Sequence, residues 1–143
     1  MGKKNILVLG ATGFIGRNMA EFFSSNPDFI VTGTYLKSKP LNNPRIKMMQ
    51  VDLTCVDQVN DILCNADIVI QAAATTSGAK DILGRPHIHV TDNAIMNSLI
   101  FRAAFEHNVS HLIFFSCSVM YPSSLSPLKE TDFSANKKMH PQY

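Results

Sequence analysis

Short apolar runs alternate with helical patterns along the whole chain, and this alternation sets the fold. Apolar runs bounded by polar or turn-forming residues predict strands at Asn5–Leu9, Phe29–Tyr35, Ile46–Val51, Asp67–Ala72 and His111–Ser116. Segments with apolar residues recurring every three or four positions predict helices over Phe14–Ser24, Cys55–Leu63 and about Asp92–Glu106. In the first helix Ile15, Met19, Phe22 and Phe23 read as the core face. Thr54, with Asp57 three residues on, reads as the cap of the second. The third is apolar over a wide arc through Ile95, Met96, Leu99, Ile100, Ala103 and Ala104. Part of that arc is expected to pack on the sheet and part to meet a second copy in a homodimer. Pro40, Asn42, Asn43 and Pro44 make the connection from the second strand to the third a loop. Strands and helices alternating at this spacing imply a parallel, doubly wound α/β sheet.

The first strand runs straight into Gly10-Ala11-Thr12-Gly13-Phe14-Ile15-Gly16 and then into a helix. Strand, glycine turn and helix in that order build a phosphate cradle of the Rossmann type. Gly10 permits the tight turn, Gly13 lets backbone approach a pyrophosphate, and Gly16 lets the helix pack close to the strand. The helix N-terminal amides then face the anion. The spacing is G-x-x-G-x-x-G rather than G-x-G-x-x-G. No Gly-Lys-Ser/Thr follows, so ATP hydrolysis is not supported.

Composition narrows the class further. A chain of 143 residues, 45% hydrophobic and 17% charged, is one domain whose low charge suits a sheet buried on both faces. A formal net charge of +2 argues for neither nucleic acid nor membrane binding, and no stretch approaches a membrane span. Cys55, Cys64 and Cys117 lack disulfide or zinc spacing, and reduced thiols suit a cytoplasmic protein. The pair His87-x-His89, beside Pro86, reads as a surface loop, and no metal site is expected. From Pro122 to Tyr143 there is no long periodic segment, although the pattern calls for further strands and helices. The chain therefore reads as the front half of something longer, truncated before the last strands.

Candidate chemistry gathers at the predicted strand ends. A carboxylate at the end of the second strand would bind the ribose hydroxyls of NAD and repel the extra phosphate of NADP. No Asp or Glu occurs between Phe29 and Val51; Thr34, Tyr35, Lys37, Ser38 and Lys39 stand there, followed by Arg45 and Lys47. Hydroxyls and cations suit a 2′-phosphate, so NADP is expected over NAD. Asp52-Leu53 follow the third strand, and Ala72-Ala73-Ala74 are small enough to let backbone approach a cofactor. Ser116-Cys117-Ser118 at the end of the fifth could hold a substrate hydroxyl.

These residues together resemble the N-terminal half of an extended short-chain dehydrogenase/reductase, the NAD(P)-dependent epimerase/dehydratase family acting on nucleotide sugars. The matching signatures are Gly10-x-x-Gly13-x-x-Gly16, Asp52-Leu53, Ala72-Ala73-Ala74, Asn93 and the serine-rich strand end before Tyr121. Tyr121-Pro122 followed by Pro127, Lys129-Glu130 and Asp132 is most similar to the GDP-fucose synthetase branch. The resemblance implies hydride transfer at C4 of the sugar, with Gly10, Thr12, Gly13, Phe14, Ile15 and Gly16 on the cofactor and Asp52 at its adenine. It implies a Ser or Thr, a Tyr and a Lys four residues after the Tyr as catalytic groups. Tyr143 lies at a suitable distance to be that tyrosine, and the chain ends there. Cys117 stands at the Ser/Thr position, with Ser116 and Ser118 beside it. Val119 stands where that branch has an epimerising cysteine. The chain as given is therefore expected to bind cofactor better than it catalyses. A non-catalytic NAD(P)-binding regulatory module and a reductase of a non-sugar carbonyl remain the alternative readings.

Overall fold

The structure, a computed structural model, describes residues 2–76, 84–116, 120–122, 124–134 and 136. The elements in chain order are β1 (Lys4–Leu9), α1 (Phe14–Ser24), β2 (Phe29–Tyr35), β3 (Ile46–Gln50), α2 (Val56–Leu63), β4 (Ile68–Gln71), α3 (Pro86–Glu106) and β5 (His111–Phe114), then a 3-10 turn at Glu130–Asp132. The strands form one parallel sheet in the order β3-β2-β1-β4-β5. This is the expected Rossmann-like α/β architecture. Among the described residues no helix is long and apolar enough to cross a membrane.

Burial on both faces follows from the period-two alternation of side chains along a strand. In β1, Leu7 and Leu9 join one core with Val59 and Leu63 of α2 and Met96, Ile100 and Ala103 of α3. Ile6 and Val8 join the opposite core with Ala20 of α1, Val31, Ile46 and Ile70. The β2–β3 connection is the expected loop, and Leu41 packs from it against the second core in place of a crossover helix.

Four local expectations are corrected. The buried residues of α1 are Gly16 and Ala20, flanked by Met19 and Phe23, while Phe22 is 70% exposed and Ile15 is also exposed. Close approach to the sheet selects the smallest side chains, which an apolar count scores low. Cys55, not Thr54, is the N-cap of α2, because the Thr54 hydroxyl donates instead to Asp52. Helix α3 begins at Pro86, so His87 and His89 lie in its first turns rather than in a loop. The apolar arc of α3 packs in part, as expected, with Met96, Ile100, Ala103 and Ala104 buried and Ile95 exposed. Strand β5 ends at Phe114, which leaves Ser116 beyond it.

One packing constraint centres on β2. A Cβ added to Gly33 would lie 2.6 Å from the Ala11 Cβ and 2.9 Å from the Met48 sulfur. Ala11 is fully buried directly after β1. Gly33→Ala should therefore cost about 1–3 kcal/mol by overpacking. Adding Ala11→Gly should recover part of the loss. Urea unfolding of the single and double variants checks this, and an unchanged midpoint for the single variant would refute it.

Candidate functional site

At the carboxyl edge of the sheet the chain turns one way from β1 and the opposite way from β4. A crevice opens between neighbouring strands wherever the strand order reverses in this manner. Here the crevice is a cleft of about 470 Å³. Its walls come from the glycine turn, the ends of β2 and β3, and the segment after β4.

The glycine turn is fixed by contacts from two directions. Gly10 has φ +73°, and a Cβ there would lie 2.6 Å from the Ala73 Cα. Its N–H donates to the Thr34 hydroxyl at 3.1 Å, and the Ala11 N–H donates to the Thr34 carbonyl at 2.8 Å. A Cβ on Gly16 would run into the Gly10 carbonyl. Gly13 differs from both. It has φ −75° and ψ 168°, which any residue adopts, and its nearest neighbour to an added Cβ is the Gly10 carbonyl oxygen at 3.4 Å. Gly13 is the N-cap of α1, where no side chain caps the helix and no acidic residue occupies the first turn. The amides of that first turn therefore lack partners within the helix.

The ends of β2 and β3 supply the polar wall. Tyr35, Lys37 and Ser38 line the cleft, and the Ser38 and Thr12 hydroxyls lie 2.6 Å apart, tying the β2 loop to the glycine turn. Across from them Asp52 Oδ1 accepts the Thr54 hydroxyl at 2.6 Å and the Thr54 N–H at 2.9 Å. The Asp52 N–H in turn donates to Gln58 Oε1 at 2.8 Å. The Thr54 hydroxyl, then its N–H, hold the Asp52 carboxyl below the usual carboxylate range, with Lys37 adding a smaller pull against the opposing effect of burial.

The floor is the run Ala72-Ala73-Ala74-Thr75-Thr76. Side-chain amides hold it. Gln71 Oε1 accepts from the Ala73 N–H at 3.1 Å, and Gln71 Nε2 donates to the Ala73 carbonyl at 3.2 Å and to Asn97 Oδ1 at 2.8 Å. Asn93 does the same two residues on: its Oδ1 accepts from the Thr75 N–H at 2.9 Å and its Nδ2 donates to the Thr75 carbonyl at 3.0 Å.

The structure thus gathers Gly10, Thr12, Gly13, Thr34, Tyr35, Lys37, Asp52, Leu53 and Ala72 to Ala74 around one cleft. Phe14 and Ile15 sit at the start of α1 with their side chains exposed, Gly16 is buried under the turn, and Asn93 braces the floor from behind. Thr34 is 1% exposed and committed to the glycine turn. Ser116 is exposed beyond β5, its hydroxyl donating to the Met120 sulfur at 2.8 Å. Cys117, Ser118 and Tyr143 lie outside the described residues. Ser38, named with the hydroxyls after the second strand, also lines the cleft, whereas sequence reasoning missed Thr54, Gln71, Asp92 and Asn97. A polar Gln closing the apolar run Ile68-Val69-Ile70, and an Asn four residues after Asn93, were the available signals.

A model of the NAD dependent epimerase/dehydratase family matches residues 6–143. The chain belongs to that family. It is 29% identical over 136 residues to the GDP-L-fucose synthase of Azorhizobium caulinodans, covering 92% of this chain and 39% of the relative. To the dTDP-glucose 4,6-dehydratase of Mycolicibacterium smegmatis it is 30% identical over 112 residues, 73% of this chain and 34% of the relative. A solved UDP-N-acetylglucosamine 4-epimerase from Methanobrevibacter ruminantium, in complex with UDP-N-acetylmuramic acid, superposes with a TM-score of 0.77 at 28% identity. That match covers 93% of this chain and 44% of the epimerase. The chain thus spans about two-fifths of the length of these relatives.

The Asp52–Thr54 contact yields a pH prediction. A carboxyl whose pKa is lowered on folding contributes stability above the unfolded value of about 3.9, and this is lost as pH falls through the folded value. Thr54→Val should move the Asp52 titration midpoint upward, toward that ordinary value. Carbon-13 NMR of the Asp52 carboxyl reads the midpoint directly; an unmoved midpoint would exclude the Thr54 hydroxyl as the main cause.

Proposed function

We propose that the chain is the cofactor-binding part of a nucleotide-sugar epimerase, dehydratase or reductase that takes NADP in preference to NAD. The observation that carries this reading is Gly13. Protein packing and backbone conformation account for Gly10 and Gly16, but neither requires a glycine at Gly13. Its missing side chain leaves room for something outside the chain, at a helix N-terminus suited to an anion. A dinucleotide pyrophosphate fits that cradle.

Gly10, Thr12 and Gly13 would hold the pyrophosphate, Asp52 and Leu53 would face the adenine, and Ala72 to Ala74 would let the backbone approach the rest of the cofactor. Tyr35, Lys37 and Ser38 would surround the 2′-phosphate, in a stretch with no carboxylate from Phe29 to Val51. When bound, the nicotinamide supplies hydride exchange at C4 of the sugar. By family position Ser116 to Ser118 orient the substrate and Tyr143 moves the proton, its phenol pKa needing to fall from about 10 to serve near neutral pH.

Gly13→Ala should weaken NADP binding about tenfold or more, the equivalent of roughly 1.4 kcal/mol of crowding, with an unchanged melting temperature. Isothermal titration and thermal unfolding on the same samples check both halves. Unchanged affinity would overturn the cradle. Titrating the unmodified chain with both cofactors tests the preference, and tighter NAD binding would overturn it.

A further inference from the structure

The floor of the cleft carries a second layer of design. Gln71 is 2% exposed, at the end of a central strand otherwise filled by aliphatic side chains. A buried amide costs free energy unless its donors and acceptor find partners. The residue that follows on the same floor, Ala73, packs its backbone against Gly10 so closely that no side chain fits between them. Ala73 is also where the ladder has no strand left to hold it: β4 ends at Gln71, which stands opposite Leu9, and the Ala72 N–H makes the last bond to β1, to the Leu9 carbonyl at 3.1 Å.

We propose that Gln71, held by Asn97, is a positioning residue for the cofactor cleft: its amide replaces the missing strand for Ala73 and so sets the spacing between the floor and the glycine turn. The geometry needs one acceptor and one donor on the same planar group, because Oε1 takes the Ala73 N–H while Nε2 serves the Ala73 carbonyl and Asn97 Oδ1. Glutamate offers no donor and leucine offers neither. Asn93 repeats the bracket at Thr75. Asn93 and Asn97 are one helical turn apart on the same face of α3, so that helix carries both braces in register. Asn97 need only accept, so aspartate can stand in for it where leucine cannot.

The consequence for cofactor affinity rests on the reading of the cleft as an NADP site; the consequence for the backbone does not. Two measurements keep them apart. Amide hydrogen exchange, followed by NMR, should show Gln71→Leu losing protection at Ala73 while Thr75 stays protected. Asn93→Ala should show the reverse. Unchanged exchange at Ala73 in Gln71→Leu would overturn the proposal whether or not the chain binds NADP. Titration with NADP, well below the melting temperature of each variant, should show Gln71→Leu and Asn97→Leu weakened about tenfold, the effect of one lost bond to a buried group. Asn97→Asp should bind like the unmodified chain. Leu63→Ala, a buried change remote from the floor, should lose stability without losing affinity. Equal losses of affinity in Leu63→Ala and Gln71→Leu would reduce Gln71 to ordinary core and refute the positioning role. Binding of NADP by none of the proteins, with the exchange pattern intact, would refute the cofactor reading and leave the brace standing.

Discussion

The contact of backbone on backbone between the glycine turn and the segment after β4 is the constraint from which the site follows. Gly10 lies against Ala73, and Gly16 lies against Gly10, with no side chain between any of them. Protein interiors are close-packed, so a contact this tight holds only if each partner is fixed from behind. Thr34 fixes the turn through Gly10 and Ala11. Gln71 and Asn93 fix the floor. The same closeness draws α1 onto the sheet through Gly16 and Ala20 and leaves its larger apolar residues, Ile15 and Phe22, in solvent. A cleft bounded by such contacts is preformed, which lowers the cost of ordering on binding.

Most of the architecture could be read from the alternation of runs along the chain. Helix α1 and strand β2 fall where the pattern put them, and the sheet is parallel as the spacing required. Strand ends could be located to within about two residues, close enough to place a group of glycines, hydroxyls and alanines at one edge. The misses on α1 share one physical origin. Periodicity records which residues are apolar, whereas helix–sheet packing at short range selects by volume, and Gly16 outranks Ile15. The brace left only a faint mark, a polar Gln closing the run Ile68-Val69-Ile70, because nothing in Gln71 as a residue type says that its own backbone, two positions later, runs out of strand partners. Thr54 could be read equally well as a helix cap or as a carboxylate partner. The competition between those two hydrogen bonds is settled only by where Asp52 lies.

The two sides of the cleft are therefore built on different logic. The glycine turn works by omission, since removing side chains lets main-chain amides approach an anion. The floor works by substitution, with side-chain amides taking over the ladder after the strands end. A main-chain ladder would have required β4 to continue and would have filled the crevice with another strand. Side chains from α3 and from Gln71 reach the floor from the core side and leave its upper surface open. An open floor with satisfied hydrogen bonds is what a site needs when its ligand must lie flat across strand ends.

Charge in the cleft bears on the choice between the two nicotinamide cofactors. Lys37 and Asp52 line the same wall, and a lysine neutralised by a carboxylate would be of little use to a phosphate. The hydrogen bonding argues otherwise. Two donors from Thr54 do more than Lys37 to hold the Asp52 carboxylate in its charged form. Thr54 ties the Asp52 carboxylate within its own loop, and among the described residues no ion pair joins it to Lys37. The Thr12–Ser38 hydroxyl contact keeps the β2 loop close to the glycine turn, so a phosphate at the loop and a pyrophosphate at the turn would be held by one connected surface. A carboxylate at the end of β2 would break that arrangement by repulsion; the residues there are Tyr35, Leu36, Lys37 and Ser38.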